Sequence, residues 1–248
     1  MNNFLDAVVD CLQDQQTPNT ANHLLPSLHS LYDLPCTSYM PVPDHYHLTT
    51  FNFIGEQLTA FIPDEAFIRS AYDKACVSGE KPMFPFWARL WPAAIALCKF
   101  AMLHPDIFMY KKVLELGAGL ALPSLLVCRW ADAVVASDIS TEAVQCMQYS
   151  IAHNHFKNVT AQVIDWSEYD HTITPDIVLL SDVNYAAADI EAVQRMITAF
   201  LSSGAVVILA TPERIIARRL IDALERYIQQ RSFIDVEGNM IHVMVMKG

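Results

Sequence analysis

Charged side chains are scarce in this chain: Asp, Glu, Lys and Arg make up 17% of its 248 residues, against 53% hydrophobic residues. That excludes a disordered chain and supplies enough apolar material for a sizeable core. A run of Lys or Arg is also missing. Arg214, Arg218 and Arg219 fall on one expected helix and read as a solvated face. With a formal net charge of −11, the surface repels phosphate backbones, so a nucleic-acid partner is not expected. No stretch reaches the roughly 18 uninterrupted apolar residues of a membrane helix. The start, Met1-Asn2-Asn3-Phe4-Leu5-Asp6, lacks the basic region and long apolar run of a signal peptide, so a cytoplasmic location is the expectation. There is no C-x-x-C pair. The six cysteines are scattered and read as reduced core thiols, and His45/His47 and His153/His155 have no Cys or carboxylate ligand pattern beside them. No metal is expected.

The length suits one large domain, or a catalytic domain with a smaller piece attached. Residues 1–80 read as an N-terminal extension. Phe4, Leu5, Val8, Val9 and Leu12 recur at helical spacing, and a Pro-, His- and Tyr-rich stretch follows. Thr49–Ile54 and Gln57–Ile62 then flank Gly55-Glu56 in the pattern of a β-hairpin with a two-residue turn. A helix is expected from Glu65 to about Ser78.

Residues 81–248 read as the functional domain. From 111 onward strands and helices alternate: strands at Val113–Leu116, Ala133–Ser137, Thr160–Ile164, Ile177–Leu180 and Ala205–Ala210, with helices at 121–131, 141–154, 188–202 and from Pro212-Glu213 to about Gln230. A final hairpin surrounds Glu237-Gly238-Asn239. This order predicts an α/β fold: a Rossmann-like, mostly parallel sheet with a C-terminal antiparallel hairpin and helices on both faces.

The most informative segment is Val113-Leu114-Glu115-Leu116-Gly117-Ala118-Gly119. Two glycines at the carboxyl end of the first strand allow a sharp turn and a close ligand approach that a β-carbon would obstruct. Asp138 ends the second strand roughly twenty residues on, where a carboxylate accepts the hydroxyls of a ribose. A dinucleotide fingerprint needs a third glycine where Leu122 stands. Glu115 would repel a pyrophosphate and suits a ligand carrying an ammonium and a sulfonium. S-adenosylmethionine (AdoMet) fits this pattern better than NAD does.

Glu115-Leu116-Gly117-Ala118-Gly119 resembles motif I of the seven-β-strand AdoMet-dependent methyltransferases. Asp138 matches that family's ribose-binding acid, and Asp165-Trp166 matches the pair that holds the adenine, the carboxylate taking the exocyclic amine and the next residue flanking the ring. Two more segments narrow the resemblance. Phe86-Trp87-Ala88-Arg89-Leu90-Trp91-Pro92 is similar to the tryptophan-proline element of the protein-lysine methyltransferases of methyltransferase family 16. Ser181-Asp182-Val183-Asn184-Tyr185 resembles that group's D-x-x-Y/F signature, with Asn184 a departure from the apolar or aromatic residue often found there.

The resemblance implies a site in which Trp91, Glu115, Gly117, Ala118, Gly119, Asp138, Asp165, Trp166 and Ser181 hold AdoMet. Asp182 and Tyr185 would orient the acceptor amine, and Trp87 would shape its pocket. Trp87 and Trp91, four positions apart, are expected on one face of a helix turn. An aromatic face beside a sulfonium or alkylammonium gains about 0.5–2 kcal/mol. A lysine acceptor would first have to lose a proton, its ordinary pKa being about 10.4. The acceptor expected is a protein side-chain amine, most simply lysine. A small-molecule N- or O-methyltransferase is the alternative, followed by a non-catalytic AdoMet-binding protein. RNA or DNA methylation is disfavoured by the charge and by the absence of an Asn-Pro-Pro-Tyr-like tetrapeptide.

Overall fold

The computed structural model describes residues 41–169, 174–183, 190–213 and 215–248. The apolar stripe expected at 3–15, Asn184, Tyr185 and Arg214 lie outside them.

The described chain opens with a hairpin of β1 (Tyr46–Phe53) and β2 (Glu56–Pro63). Phe53 pairs with Glu56, so the turn is Ile54-Gly55, one residue earlier than expected. Gly55 takes the left-handed position, φ 78°, which only glycine occupies without strain. Next comes α1 (Glu65–Val77), whose first amides Ala66 N and Phe67 N donate to the Asp64 carboxylate. None of its residues is buried, and Cys76 on it is exposed; Cys98, Cys128 and Cys146 are the core thiols among the described cysteines.

Pro92 opens α2 (Pro92–Leu103), where its missing N–H costs nothing. Alternation follows: β3 (Lys112–Leu116), α3 (Leu122–Val127), β4 (Ala133–Asp138), α4 (Thr141–His153), β5 (Val159–Val163), β6 (Ile177–Ser181), α5 (Ile190–Ser202), β7 (Val206–Pro212), α6 (Ile215–Leu224), β8 (Ile228–Val236) and β9 (Asn239–Met246). The strands order β5-β4-β3-β6-β7-β9-β8 in one seven-stranded sheet. Pairs among β3 to β7 are parallel, while β9 runs antiparallel to both β7 and β8. The expected seven-stranded architecture is therefore present.

Two expected boundaries shift. Helix α3 stops at Val127 rather than near 131. Helix α6 stops at Leu224, and β8 begins at Ile228 where the helix was expected to run on to about Gln230. Along β8 exposure alternates, as a strand paired on one side requires, and its pairing with β9 overrides the helical propensity of Gln230, with Gln229 at a register irregularity between the paired Ile228 and Gln230.

Side chains alternate across the sheet, so each strand feeds two cores. Val113 joins residues of α2, α3 and α4 on one face, whereas Leu114 and Leu116 join Val193, Ile197 and Phe200 of α5 and Leu220 of α6 on the other. The first face also takes Leu58 and Ala60 of β2. Phe61 N donates to Ser150 Oγ of α4 at 2.9 Å, and Thr59 Oγ1 and Asn154 Oδ1 lie 2.9 Å apart in a second bond. The hairpin is thereby fastened along α4. Among the described residues no helix is long and apolar enough to cross a membrane.

What this topology does for function is local. Strand β3 lies between β4 and β6, where the strand order reverses, and its carboxyl end faces the crevice such a reversal opens.

Candidate active site at the glycine turn

The backbone leaves β3 through Gly117 (φ 63°) and Gly119 (φ 55°), and Ala121 (φ 56°) completes the turn into α3. Ala118 N donates to Ser137 O at 2.8 Å, which pins the turn to the end of β4. A β-carbon at Gly117 would lie 3.0 Å from the Trp166 indole and 3.3 Å from Val183. One at Gly119 would lie 3.1 Å from the Trp87 carbonyl oxygen. Segments read separately in the sequence (the turn, the 165–166 pair, the 182–183 strand end and the tryptophan-proline element) thus meet at the two glycines.

Asp138 is nearly buried at the end of β4. Gly119 N donates to its Oδ2 at 2.9 Å and Ser140 N to its Oδ1 at 3.0 Å. Burial pushes its pKa up, and the N–H groups of Ser140, Gly119 and Ile139 partly offset that. The two bonds that form occupy part of the roughly four acceptor positions of a carboxylate, so capacity remains for a ribose diol. The glycine cradle and this anchored acid fit a nucleoside.

Glu115 is fully buried. Its Oε2 accepts from Ser124 N at 2.9 Å and Ser124 Oγ at 2.5 Å, and its Oε1 accepts from Ser181 Oγ at 3.5 Å. Burial raises its pKa to about 7, aided by the negative charge of Asp138, while the hydrogen bonds from Ser124 and Ser181 work against the rise. Ser181, expected to hold AdoMet, lies against Glu115. Ser124 was not anticipated; a serine in the first turn of the helix after a glycine turn is the only sequence signal it leaves.

Asp165 caps a short 3-10 turn, Trp166–Glu168, with Oδ1 accepting from Ser167 N at 2.8 Å and Ser167 Oγ at 2.7 Å. This sets the strand end so that the Trp166 ring projects over Gly117. Asp182, with φ 54° and 7% exposed, is held by a 2.9 Å bond from its N–H to Ala210 O of β7. A non-glycine residue in the left-handed region is uncommon and, at a strand end facing the crevice, points to a functional constraint. Tyr185 lies outside the described residues.

Trp87 and Trp91 do not share a helix face. Trp87 sits in a 3-10 turn, Phe86–Ala88, and packs on the first core; Trp91 precedes α2 in extended backbone. Prolines at 85 and 92 bracket the segment and keep it out of a regular helix. Trp91 Nε1 donates to Phe86 O at 2.9 Å, and the Arg89 guanidinium lies 5.1 Å from its ring. The segment is a folded wall over Gly119.

Comparison with known proteins agrees with this geometry. A family model described as lysine methyltransferase matches residues 86–232, more than half of the chain. Histone-arginine methyltransferase METTL23 of Xenopus laevis is 33% identical over 109 residues, 41% of this chain and 46% of that protein. The electron transfer flavoprotein beta subunit lysine methyltransferase of Danio rerio is 30% identical over 105 residues, 42% of this chain and 40% of that one. The chain spans about half the length of the curated relatives it matches. Among solved structures, a putative methyltransferase complexed with SAH superposes with a TM-score of 0.57 at 14% identity, over 85% of this chain and 58% of that one. A T. Thermophilus 16S rRNA methyltransferase in complex with AdoMet and guanosine gives 0.56 at 16%, over 86% and 53%. At such identities these two likenesses carry the fold. The family match takes in the tryptophan-proline segment, the glycine turn and the strand ends together, and the chain belongs to the lysine methyltransferase family.

Proposed function

We propose that this chain binds AdoMet at the glycine turn and methylates a side-chain amine of a protein, lysine in the first instance. The observation that carries the reading is the cradle itself: two glycines at positive φ beneath Trp166 and Trp87, with Asp138 anchored by Gly119 N beside them. The family description and the protein-lysine methyltransferases among the relatives support a protein amine. The histone-arginine relatives make an arginine nitrogen the second reading.

AdoMet supplies a methyl carbon already activated by its sulfonium, so the protein's task is position and electrostatics. Asp138 would accept from the ribose hydroxyls and Asp165 from the adenine amine, with Trp166 flanking the ring. Gly117, Ala118 and Gly119 would let backbone approach the ligand closely, and Trp91 would help to hold it. Glu115, steadied by Ser124 and Ser181, places negative potential behind the turn that complements a cationic ligand. Asp182 would orient the acceptor nitrogen, a role that the sequence resemblance extends to Tyr185. After giving its proton to solvent the nitrogen would take the methyl as the carbon–sulfur bond breaks and S-adenosylhomocysteine leaves, and Trp87 would shape the approach. A carboxylate beside the nitrogen favours the cation, so Asp182 would serve orientation rather than proton removal.

The test is transfer of radiolabelled methyl from AdoMet into a fractionated lysate, with the Gly117→Arg protein as control. Label in a protein band that mass spectrometry assigns to lysine is the expected result. Assignment to arginine establishes the second reading. Label confined to the small-molecule fraction overturns both.

A further inference from the structure

We infer that Ser124 is a positioning residue: it fixes the orientation of the Glu115 carboxylate, holds it in the anionic form, and so sets how strongly the glycine turn prefers a cationic ligand. This rests on the AdoMet reading above and adds to it the control of charge at that site.

The geometry carries the argument. Glu115 is a carboxylate on the central strand with no exposed surface, and no ion pair to it forms among the described residues. An isolated buried carboxylate without partners gives up its charge by taking a proton. What opposes this is mainly Ser124, with a weaker share from Ser181. Ser124 presents both its backbone N–H and its hydroxyl to the same oxygen, Oε2, at 2.9 and 2.5 Å. Among the described residues the other bond, from Ser181 Oγ to Oε1, is long at 3.5 Å. Two donors converging on Oε2 leave Oε1 as the less engaged oxygen, so Ser124 fixes both the rotation and the ionisation of the group.

The surroundings lean the other way. On the adjacent strand β4, Asp138 is a second acid, and Cys98 on α2 is a thiol whose ionisation is suppressed by burial and, secondarily, by Glu115; β6 contributes the Ser181 hydroxyl. The carboxylate is thus poised near neutrality, with a pKa of about 7, where loss of one hydrogen bond changes its charge in the working range. Ser124 lies in the first turn of α3 and is itself fully buried. It touches neither crevice nor acceptor. Its effect reaches the ligand only through Glu115.

The experiment measures AdoMet affinity of the full chain by calorimetry between pH 6 and 8.5 for the unchanged protein, Ser124→Ala, Ser124→Thr and Glu115→Gln. The ligand's own amino group titrates in this window, but identically for all four proteins, so differences report the protein. If the anionic form is the one that binds, raising the Glu115 pKa by about one unit weakens binding at pH 7 about fivefold and moves the pH midpoint up by about one unit. Ser124→Ala should show that shift and converge on the unchanged protein toward pH 8.5. Ser124→Thr, which keeps the hydroxyl, should restore the profile. Glu115→Gln should lose the protein's part of the pH dependence, and Ser124→Ala added to it should change nothing further. A merely structural role would weaken binding equally at every pH, and that result, or superposable profiles for Ser124→Ala and the unchanged protein, overturns the inference. Absence of AdoMet binding by the unchanged protein would instead remove the cofactor reading itself.

Discussion

At Gly117 and Gly119 the φ angles are both positive and close in value, but the neighbours differ. The obstacle to a β-carbon at Gly117 is an indole ring, which can swing; at Gly119 it is the Trp87 carbonyl, which is backbone. Each alanine substitution carries about 1–2 kcal/mol of left-handed strain. Gly117→Ala should therefore lower Tm by roughly 2–4 °C for each kcal/mol lost and change the fluorescence of Trp166. Gly119→Ala should lower Tm further, because the tryptophan-proline wall has to move with it. Equal losses in thermal melts would contradict this difference in neighbours. Asp182 is different in kind. In the proposed function its carboxylate orients the acceptor, so Asp182→Ala should keep AdoMet affinity within about twofold while turnover drops on the order of a hundredfold, the cost of a misplaced nucleophile. Full turnover with AdoMet still bound would strip Asp182 of its role.

Among the elements, the junction between β2 and α4 rests on a few polar contacts. Ser150 is fully buried, accepts from Phe61 N and donates to Cys146 O at 3.3 Å. Ser150→Ala leaves an amide without its acceptor and should cost about 1–3 kcal/mol. Urea titration should show a lower midpoint, and hydrogen exchange should quicken across 56–63; unchanged exchange there would mean the hairpin is held by its apolar contacts alone.

The same elements indicate why sequence reasoning succeeded where it did. Strands β3, β4, β6 and β7 are covered on both faces and read as short apolar runs between turn signals, so their order and the parallel sheet could be read directly. Gly117, Gly119 and Asp138 stood out because a tight turn and a strand-end acid are local demands. The end of α6 did not, since Gln229 and Gln230 suit a helix and the pairing of Ile228 and Gln230 with β9 is what makes the segment a strand. Trp87 and Trp91 have helical spacing, yet the prolines beside them decide the backbone. Ser124 was invisible for another reason: its partner lies nine positions away on a different element, and no local pattern marks such a bond.

For the molecule as a whole, Glu115 couples folding to pH. An ordinary glutamate ionises at about 4.5 and this one at about 7. Between those values the folded chain keeps a proton that the unfolded chain has released. The stability Glu115 contributes is full below about 4.5 and is lost as pH rises through 7, an effect on the order of 3 kcal/mol. The direction of the Asp138 shift has the same sign. Thermal melts without ligand should therefore fall across this interval, and Glu115→Gln should flatten most of the decline. A slope unchanged by that substitution would place the titrating group elsewhere.

The sheet order also governs how such a molecule is assembled. Strand β9 lies between β7 and β8, although β8 precedes it along the chain. Until β9 is in place, β8 has no neighbour to bond to and β7 shows an open rim, and β9 closes both. A released chain lacking the residues from 239 on would therefore carry two sticky edges at once and should aggregate.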